Sequence, residues 1–343
     1  MKLSICIPTY NRHKHLNNCL NSILIAKKNF SHLSFEVCIS DNSNDFQSKK
    51  IIQKYNLKLK ISYKKNKKNI GYIKNYLNTV KMAKGEFVWV IGDDEILKYN
   101  ALQILYKKFY KHKDVDFIFL NSNTLHSDYL KNFKQPFNTF NLPKKMESFS
   151  KAYKDKKTSF FNLIDYKVSW DFLLGIFQCI YKKKMFLENL KVVNHKKLFK
   201  PGVWSTFENT AFYTQVYAAA FKDSKVLIQA KPIVVSLYGH KSWEDLWDFI
   251  KIVRIPELLD MYKKKGLDNS KYLKMKNFAL RDFFSCFKNI YFKGDKAGLR
   301  YVKIYNHIFL NIFFPSIYIN LLKKILLKLN KIFLTRSNSY AKI

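Results

Sequence analysis

GEFVWVIGDDE, residues 85–95, is the stretch that decides the fold. Residues 86–91 (EFVWVI) are a short apolar run without alternation. Such a run predicts a strand covered on both faces, as in a parallel sheet. Gly92 ends the run, and Asp93, Asp94 and Glu95 follow at once. Polar residues placed there stand at the carboxyl end of the strand, the edge where open α/β sheets bind ligands.

Working outward, the same unit repeats. Residues 3–8 (LSICIP), 35–40 (FEVCIS) and 59–63 (LKISY) predict three earlier strands. Helices are predicted over 13–27, where Leu16, Leu20, Ile23 and Leu24 share a face, over 47–55, and over 72–83 with Ile73, Leu77 and Val80 aligned. Downstream a helix over 98–112 leads to a strand over 115–120. Strand and helix alternate, which predicts an α/β fold: a Rossmann-like, mostly parallel sheet with helices on both faces. Three polar clusters fall at strand ends and should converge: Thr9-Tyr10-Asn11-Arg12, Asp41 to Asp45, and Asp93 to Glu95. Residues 121–165 are polar and weakly periodic and read as a long loop. An apolar run at 172–181, a helix over 206–221 and a strand over 226–235 follow. Residues 244–335 read as helical throughout.

The 343 residues carry a net charge of +37, from 62 Lys and Arg against 25 Asp and Glu. Lys, Asn, Ile, Phe and Tyr all have AT-rich codons, so coding bias accounts for part of that charge. The chain is drawn to polyanions either way. Five scattered cysteines without a CxxC pair argue against a disulfide framework or a zinc site and suit a reducing cytosol. Met1-Lys2 leads straight into a strand, so no signal peptide is expected, and no run of 18 apolar residues predicts a spanning helix. There is no GxGxxG, GxxxxGK[ST], HExxH or GxSxG, which disfavours dehydrogenase, P-loop, zincin and α/β-hydrolase chemistry.

Three carboxylates at a strand end are oxygen donors of the kind Mg²⁺ or Mn²⁺ prefers, shared with phosphate oxygens. They suit the departure of a nucleoside diphosphate, whose charge a metal stabilises. The bland reading is a solvated turn whose acids favour the next helix. Two further polar strand ends tip the balance toward a site. Asp41 either receives hydrogen bonds from a ribose or base or simply makes an Asx turn in DNSND. Asn69 and Gly71 either cap a helix or turn its N-terminus to phosphate. Both pairs of readings stay open.

IPTYNR (7–12), CISDNSND (38–45), NIGYIKN (69–75) and GEFVWVIGDDE (85–95) together resemble the family 2 glycosyltransferases, and within them the abequosyltransferase-like group that builds bacterial surface polysaccharide. The resemblance covers residues 3–115 and fades beyond. It implies the GT-A fold and inverting transfer of a sugar from a nucleoside-diphosphate donor to a saccharide acceptor. It implies donor contacts from Pro8, Thr9, Tyr10, Arg12, Asp41, Asn69, Gly71, Lys74, Asn75 and Asp93. It puts the metal motif at Asp93-Asp94-Glu95, although many relatives have an acid where this chain has Gly92. It also implies an acidic general base at the start of a later helix. Glu208, in STFENTAFYTQ, stands there, and its alternative role is to favour the first helical turn. Asp171 is the second candidate. His240 and Trp243, in GHKSWED, either touch the acceptor sugar or pack as loop residues. The expected organisation is a catalytic domain over 1–240, with a nucleotide-binding half at 1–120 and an acceptor half at 121–240, then a helical region over 241–343.

Residues 317–334 are amphipathic, with Lys324, Lys328 and Lys331 on one face. This basic tail predicts in-plane attachment to an anionic membrane, the inner face of the cytoplasmic membrane, where a lipid-linked acceptor would lie; the alternative is a terminal helix packed on the body. Two other classes compete. A nucleic-acid-binding protein would use the charge and the 17% aromatic content, but the lysines are dispersed and no recognition motif stands out. A nucleotidyltransferase on a similar core would want a Gly-rich loop where PTYNR stands.

Overall fold

The computed structural model describes residues 1–340 apart from 203, 240 and 242, with side chains up to residue 328. Its chain divides into two compact units, one made of residues 1–203 and 211–241, the other of 204–210 and 242–343.

In the first unit the apolar runs become strands β1 (Leu3–Thr9), β2 (Phe35–Asp41), β3 (Ile61–Lys65) and β4 (Phe87–Val90), all parallel. They alternate with α1 (His13–Asn29), α2 (Gln47–Gln53) and α3 (Tyr72–Met82). The period of two splits each strand between faces. Leu3, Ile5, Ile7, Phe87 and Trp89 join the core under α1 and α4 (Ala101–Lys111). Cys6 turns the other way, its Sγ 3.4 Å from the Thr79 carbonyl of α3. Burying a side chain such as Trp89, which has no exposed surface, contributes about 2–3 kcal/mol. Helices therefore cover both faces, as the sequence predicts.

Beyond β4 the sheet becomes mixed. Short β5 (Glu95–Leu97) turns back from the acidic cluster and pairs antiparallel with β10 (Lys225–Tyr238). Strand β6 (Phe117–His126) runs parallel to β10, and β9 (Cys179–Lys182) lies antiparallel between β4 and β6. The order is β3-β2-β1-β4-β9-β6-β10-β5. Hence β1, β2, β3, β4, β6 and β10 share one direction. Short β7 (Glu147–Ser148) and β8 (Lys156–Ser159) pair with β6 and β10. Two short helices, α5 (Lys183–Glu188) and α6 (His195–Leu198), precede α7 (Phe207–Phe221), whose backbone is non-helical at Ala211.

The loop expected over 121–165 is partly strand. Residues 121–126 extend β6; the polar side chains of Asn121, Ser122 and Asn123 are buried and hydrogen-bonded, while His126 is exposed. Asn121 is buried and its Nδ2 donates to the Ala230 carbonyl at 2.8 Å.

The second unit is helical: a single turn α8 (Trp247–Phe249), then α9 (Ile255–Lys264), α10 (Asn269–Ala279), α11 (Phe283–Lys293) and the long α12 (Pro315–Tyr340). No helix among the described residues is long and apolar enough to cross a membrane.

Candidate functional site

The carboxyl ends of β1, β2, β3 and β4 carry polar residues, and the parallel register brings them together. Thr9 ends β1 beside Asp41 of β2 and is nearly buried. Its Oγ1 donates to Asp93 Oδ2 at 2.6 Å. Arg12, just before α1, spans two acids, with Nη1 3.2 Å from Asp93 Oδ1 and Nη2 2.9 Å from Asp94 Oδ2. Asp93, Asp94 and Glu95 are all under 5% exposed. Burial works against the Arg12 charge, yet Asp93, Asp94 and Glu95 outweigh it and hold its pKa above the usual value.

Lys241, which the sequence reading passed over between His240 and Trp243, lies 3.8 Å from Asp94 Oδ2 and 3.7 Å from Glu95 Oε1. Burial, then the neighbouring Asp94 charge, pushes Glu95 up to about 8 against the pull of Lys241. Arg12 and Lys241 thus face the three acids from the protein side. Gly92 leaves room here for its neighbours' side chains. A Cβ at that position would meet the Asp94 and Glu95 carboxylates, so the missing side chain is the space into which the acids fold.

The oxygen-only donor set suits Mg²⁺ or Mn²⁺ in kind. Among the described residues no three His, Cys, Asp or Glu side chains are gathered as a metal-holding group. Arg12 and Lys241 sit against the carboxylates instead.

A layer of asparagines supports the edge. Asn75 Nδ2 donates to the Thr9 carbonyl at 3.1 Å. Asn66, at the end of β3, donates through Nδ2 to Asn42 Oδ1 (2.9 Å), Ser40 Oγ (3.0 Å) and Asn75 Oδ1 (3.1 Å). Asn42 in turn donates to Asn69 Oδ1 at 3.0 Å, and Asn69 Oδ1 accepts the Gly71 N–H at 2.9 Å. Gly71 opens α3 with φ 81°, where a side chain would be strained. Sequence reasoning missed Asn42 and Asn66, although Asn66 stands at a strand's carboxyl end like the residues it did select.

Asp41 is fully buried and engaged at both oxygens, Oδ1 by the Ser43 N–H (2.8 Å) and Oδ2 by the Tyr63 hydroxyl (2.9 Å). Pro8 is half-buried, while Tyr10 is 42% exposed. Lys74 Nζ lies 5.3 Å from the centre of the Phe199 ring.

Residues 4–162 match glycosyl transferase family 2. Residues 4–162, somewhat under half of the chain, are thus similar to a family 2 glycosyltransferase domain. That match contains Thr9, Arg12, Asp41, Asn66, Asn75 and the three acids. It ends before Asp171, Glu208 and Lys241. Over 107 residues the chain is 38% identical to abequosyltransferase RfbV of Salmonella typhimurium, covering 31% of this chain and 32% of that one. Over 104 residues it is 34% identical to the poly(ribitol-phosphate) beta-N-acetylglucosaminyltransferase TarS of Staphylococcus aureus, covering 30% of this chain and 18% of that one. The matched part thus spans a third or less of these relatives' own length. Among solved structures, S. aureus TarS 1-349 in complex with UDP-GlcNAc aligns with a TM-score of 0.53 at 19% identity, over 83% of this chain and 73% of that one. The likeness is one of fold, a GT-A type α/β sheet followed by a helical C-terminal region.

Outside the family 2 match, the candidates divide between the units. Asp171 belongs to the first, nearly buried, its Oδ1 accepting from Ser169 Oγ (2.9 Å) and the Leu173 N–H (3.2 Å). Burial pushes it up to about 6. Glu208 belongs to the second, half-buried in the first turn of α7. That turn is capped reciprocally: Thr206 Oγ1 accepts the Asn209 N–H (3.0 Å) and Asn209 Oδ1 accepts the Thr206 N–H (3.1 Å). Trp243, also in the second unit, packs its ring 5.8 Å from Trp204 and 5.9 Å from Trp247. His240 lies outside the described residues.

Proposed function

We propose that the chain is an inverting glycosyltransferase that takes a sugar from a nucleoside-diphosphate donor and adds it to a saccharide acceptor in bacterial surface polysaccharide synthesis. The observation that carries this reading is the meeting of Thr9, Arg12, Asp93 and Asp94 at the carboxyl edge of the sheet, inside the family 2 match.

In this reading the donor diphosphate lies at that edge, where Arg12 and Lys241 face the charge it develops on leaving. Pro8, Thr9 and Tyr10 flank the nucleoside, and Asn69, Gly71, Lys74 and Asn75 border the donor. Asp41 reaches ribose or base by exchanging one of its present partners. An acceptor hydroxyl attacks the anomeric carbon from the side opposite the diphosphate, which inverts that centre. Glu208 takes the hydroxyl proton. Asp171 is the second candidate, because a carboxyl titrating near 6 is matched to accepting a proton at neutral pH. Mg²⁺ or Mn²⁺, when bound, supplies positive charge to the departing diphosphate. Asp93 and Asp94 would hold it, with Glu95 joining when deprotonated and Arg12 yielding its ion pairs.

Trp243 and His240 are proposed acceptor contacts. The acceptor is proposed to be lipid-linked, with residues 317–334 on the anionic inner face of the cytoplasmic membrane. The exposure of Leu322 and Leu326 together with Lys324 and Lys328 supports that attachment.

The test is release of nucleoside diphosphate from a panel of nucleotide sugars, with and without Mn²⁺. Wild type is expected to hydrolyse one donor slowly. Asp93→Asn and Asp94→Asn are each expected to lose about a hundredfold or more while remaining folded. Full activity in both variants would remove the site assignment.

A further inference from the structure

One segment of the second unit is folded against its own chemistry. Between Ile304 and Phe313 the polar side chains of His307 and Asn311 are buried, only 4% and 2% exposed. His307 Nε2 lies 3.1 Å from Glu257 Oε1, and Asn311 Nδ2 donates to the His307 carbonyl at 3.0 Å. The aromatic residues face outward instead. Tyr305, Phe309 and Phe313 are 64%, 55% and 70% exposed. Spaced four apart, they form one row, with ring centres 5.8 and 5.7 Å apart. Ile304 and Leu310 are exposed beside it.

Single exposed apolar residues need no explanation, but a contiguous aromatic row does. The inversion is held in place rather than incidental. Glu257 grips His307 from one side and Arg254, itself buried, from the other at 2.5 Å. Turning the row inward would leave those charged and polar groups unpaired.

The surroundings indicate what covers the row. From residue 288 to 328 the chain has eight Lys and Arg against one acid, Asp295. Lys288, Lys324 and Lys328 line a groove between α11 and α12 together with apolar Leu321 and Ile325 and with Asp282, which pairs with Lys324 at 2.8 Å. On α12, Tyr318, Leu322 and Leu326 repeat the four-residue spacing and are also exposed. Exposed aromatic rings in a stretch of chain this rich in cations match the boundary between acyl chains and anionic headgroups. An apolar protein partner would not need the cations.

We propose that Tyr305, Phe309 and Phe313 form an insertion element that seats the second unit on an anionic bilayer, rings at the headgroup–acyl boundary and lysines on the lipid phosphates. The inference rests on the membrane attachment proposed above and makes this row, rather than the terminal helix alone, its anchor.

The test is co-sedimentation of the full chain with phosphatidylcholine vesicles containing about a third phosphatidylglycerol, at physiological salt. Wild type is expected to sediment, and Tyr305→Ser/Phe309→Ser/Phe313→Ser to lose about tenfold or more of its partitioning. Leu322→Ser/Leu326→Ser on α12 is expected to lose less. Unchanged circular dichroism in both variants shows that the fold survives. Release of nucleoside diphosphate, unchanged in the row variant, keeps the enzymatic reading separate; its absence in wild type would sink that reading and not this one. Wild-type partitioning by the row variant would overturn the inference and leave α12 as the anchor. Failure of wild type to sediment would overturn both. Self-association of wild type without lipid, abolished in the row variant and unaccompanied by vesicle binding, would overturn it in favour of a second copy of this chain.

Discussion

In the stretch matched to glycosyl transferase family 2, Asn66, Asn75, Asp93 and Asp94 are each less than a tenth exposed, whereas in the second unit Phe309 and Phe313 stand mostly in solvent. Each region reverses the usual sorting of residue types. The reversals are sustained differently. The first is enclosed, and every named polar side chain meets a protein partner in a directional network. The second is open, and its outward face has large apolar surface in a cation-rich stretch of chain. Polar groups held dry keep donors and charges pre-oriented for a small charged ligand. Apolar groups held wet serve a surface that arrives from outside.

Three substitutions sharpen that contrast. Asn66→Ala removes one donor group from Ser40, Asn42 and Asn75 at once, inside the buried network. A loss of about 3 kcal/mol is expected, read as a fall in thermal midpoint of several degrees. A change near zero would mean that the network is solvated.

Asp171→Asn tests buried charge without touching the acidic cluster. Burial raises the folded pKa from 3.8 to about 6. Between those values the folded chain keeps a proton that the unfolded chain has lost, so stability falls as pH rises through that window and stays lower above it. Asparagine keeps an acceptor for Ser169 Oγ and the Leu173 N–H and has no charge to bury. The variant should match wild type near pH 4 and exceed it by about 2 kcal/mol at pH 7. Denaturant titrations at the two pH values check this, and parallel curves would contradict it.

Phe309→Ser should have the smallest effect on stability, within about 0.5 kcal/mol, because the ring is already 55% exposed. A large loss would mean that the ring is part of the second unit's core.

Most of the first hundred residues were legible because apolar runs and polar strand ends alternate there; short β5 at Glu95–Leu97, read only as part of the acidic cluster, was not. Residues 86–91 predicted β4, observed as Phe87–Val90, and the acids fall where that strand stops. Residues 121–126 were not legible. Asn121, Ser122 and Asn123 are polar, and only partners distant in sequence, in residues 146–150, Gln178 and Ala230, make their burial affordable. Lys241 was hidden for a related reason: nothing local links it to Asp94, which lies far back in the chain. Gly92 looked like a lost acid, but its missing Cβ gives the Asp94 and Glu95 carboxylates their room. The row at 305–313 reads in sequence only as part of a helical region, which leaves open the side that faces out. Which side faces out depends on His307 meeting Glu257, and that pairing exists only in the folded unit.

The most direct measurement of the central claim is thermal unfolding of the whole protein with UDP, GDP, CDP and dTDP, each with and without Mn²⁺, in wild type and Asp93→Asn. The expected result is that one nucleotide raises the wild-type midpoint by several degrees when saturating, equivalent to about 2–3 kcal/mol at a hundredfold excess over its dissociation constant, and that Mn²⁺ enlarges the shift. In Asp93→Asn the Mn²⁺-dependent part should vanish. No shift with any of the four nucleotides, or an identical Mn²⁺ effect in both proteins, would contradict a donor site at Thr9, Arg12 and Asp93.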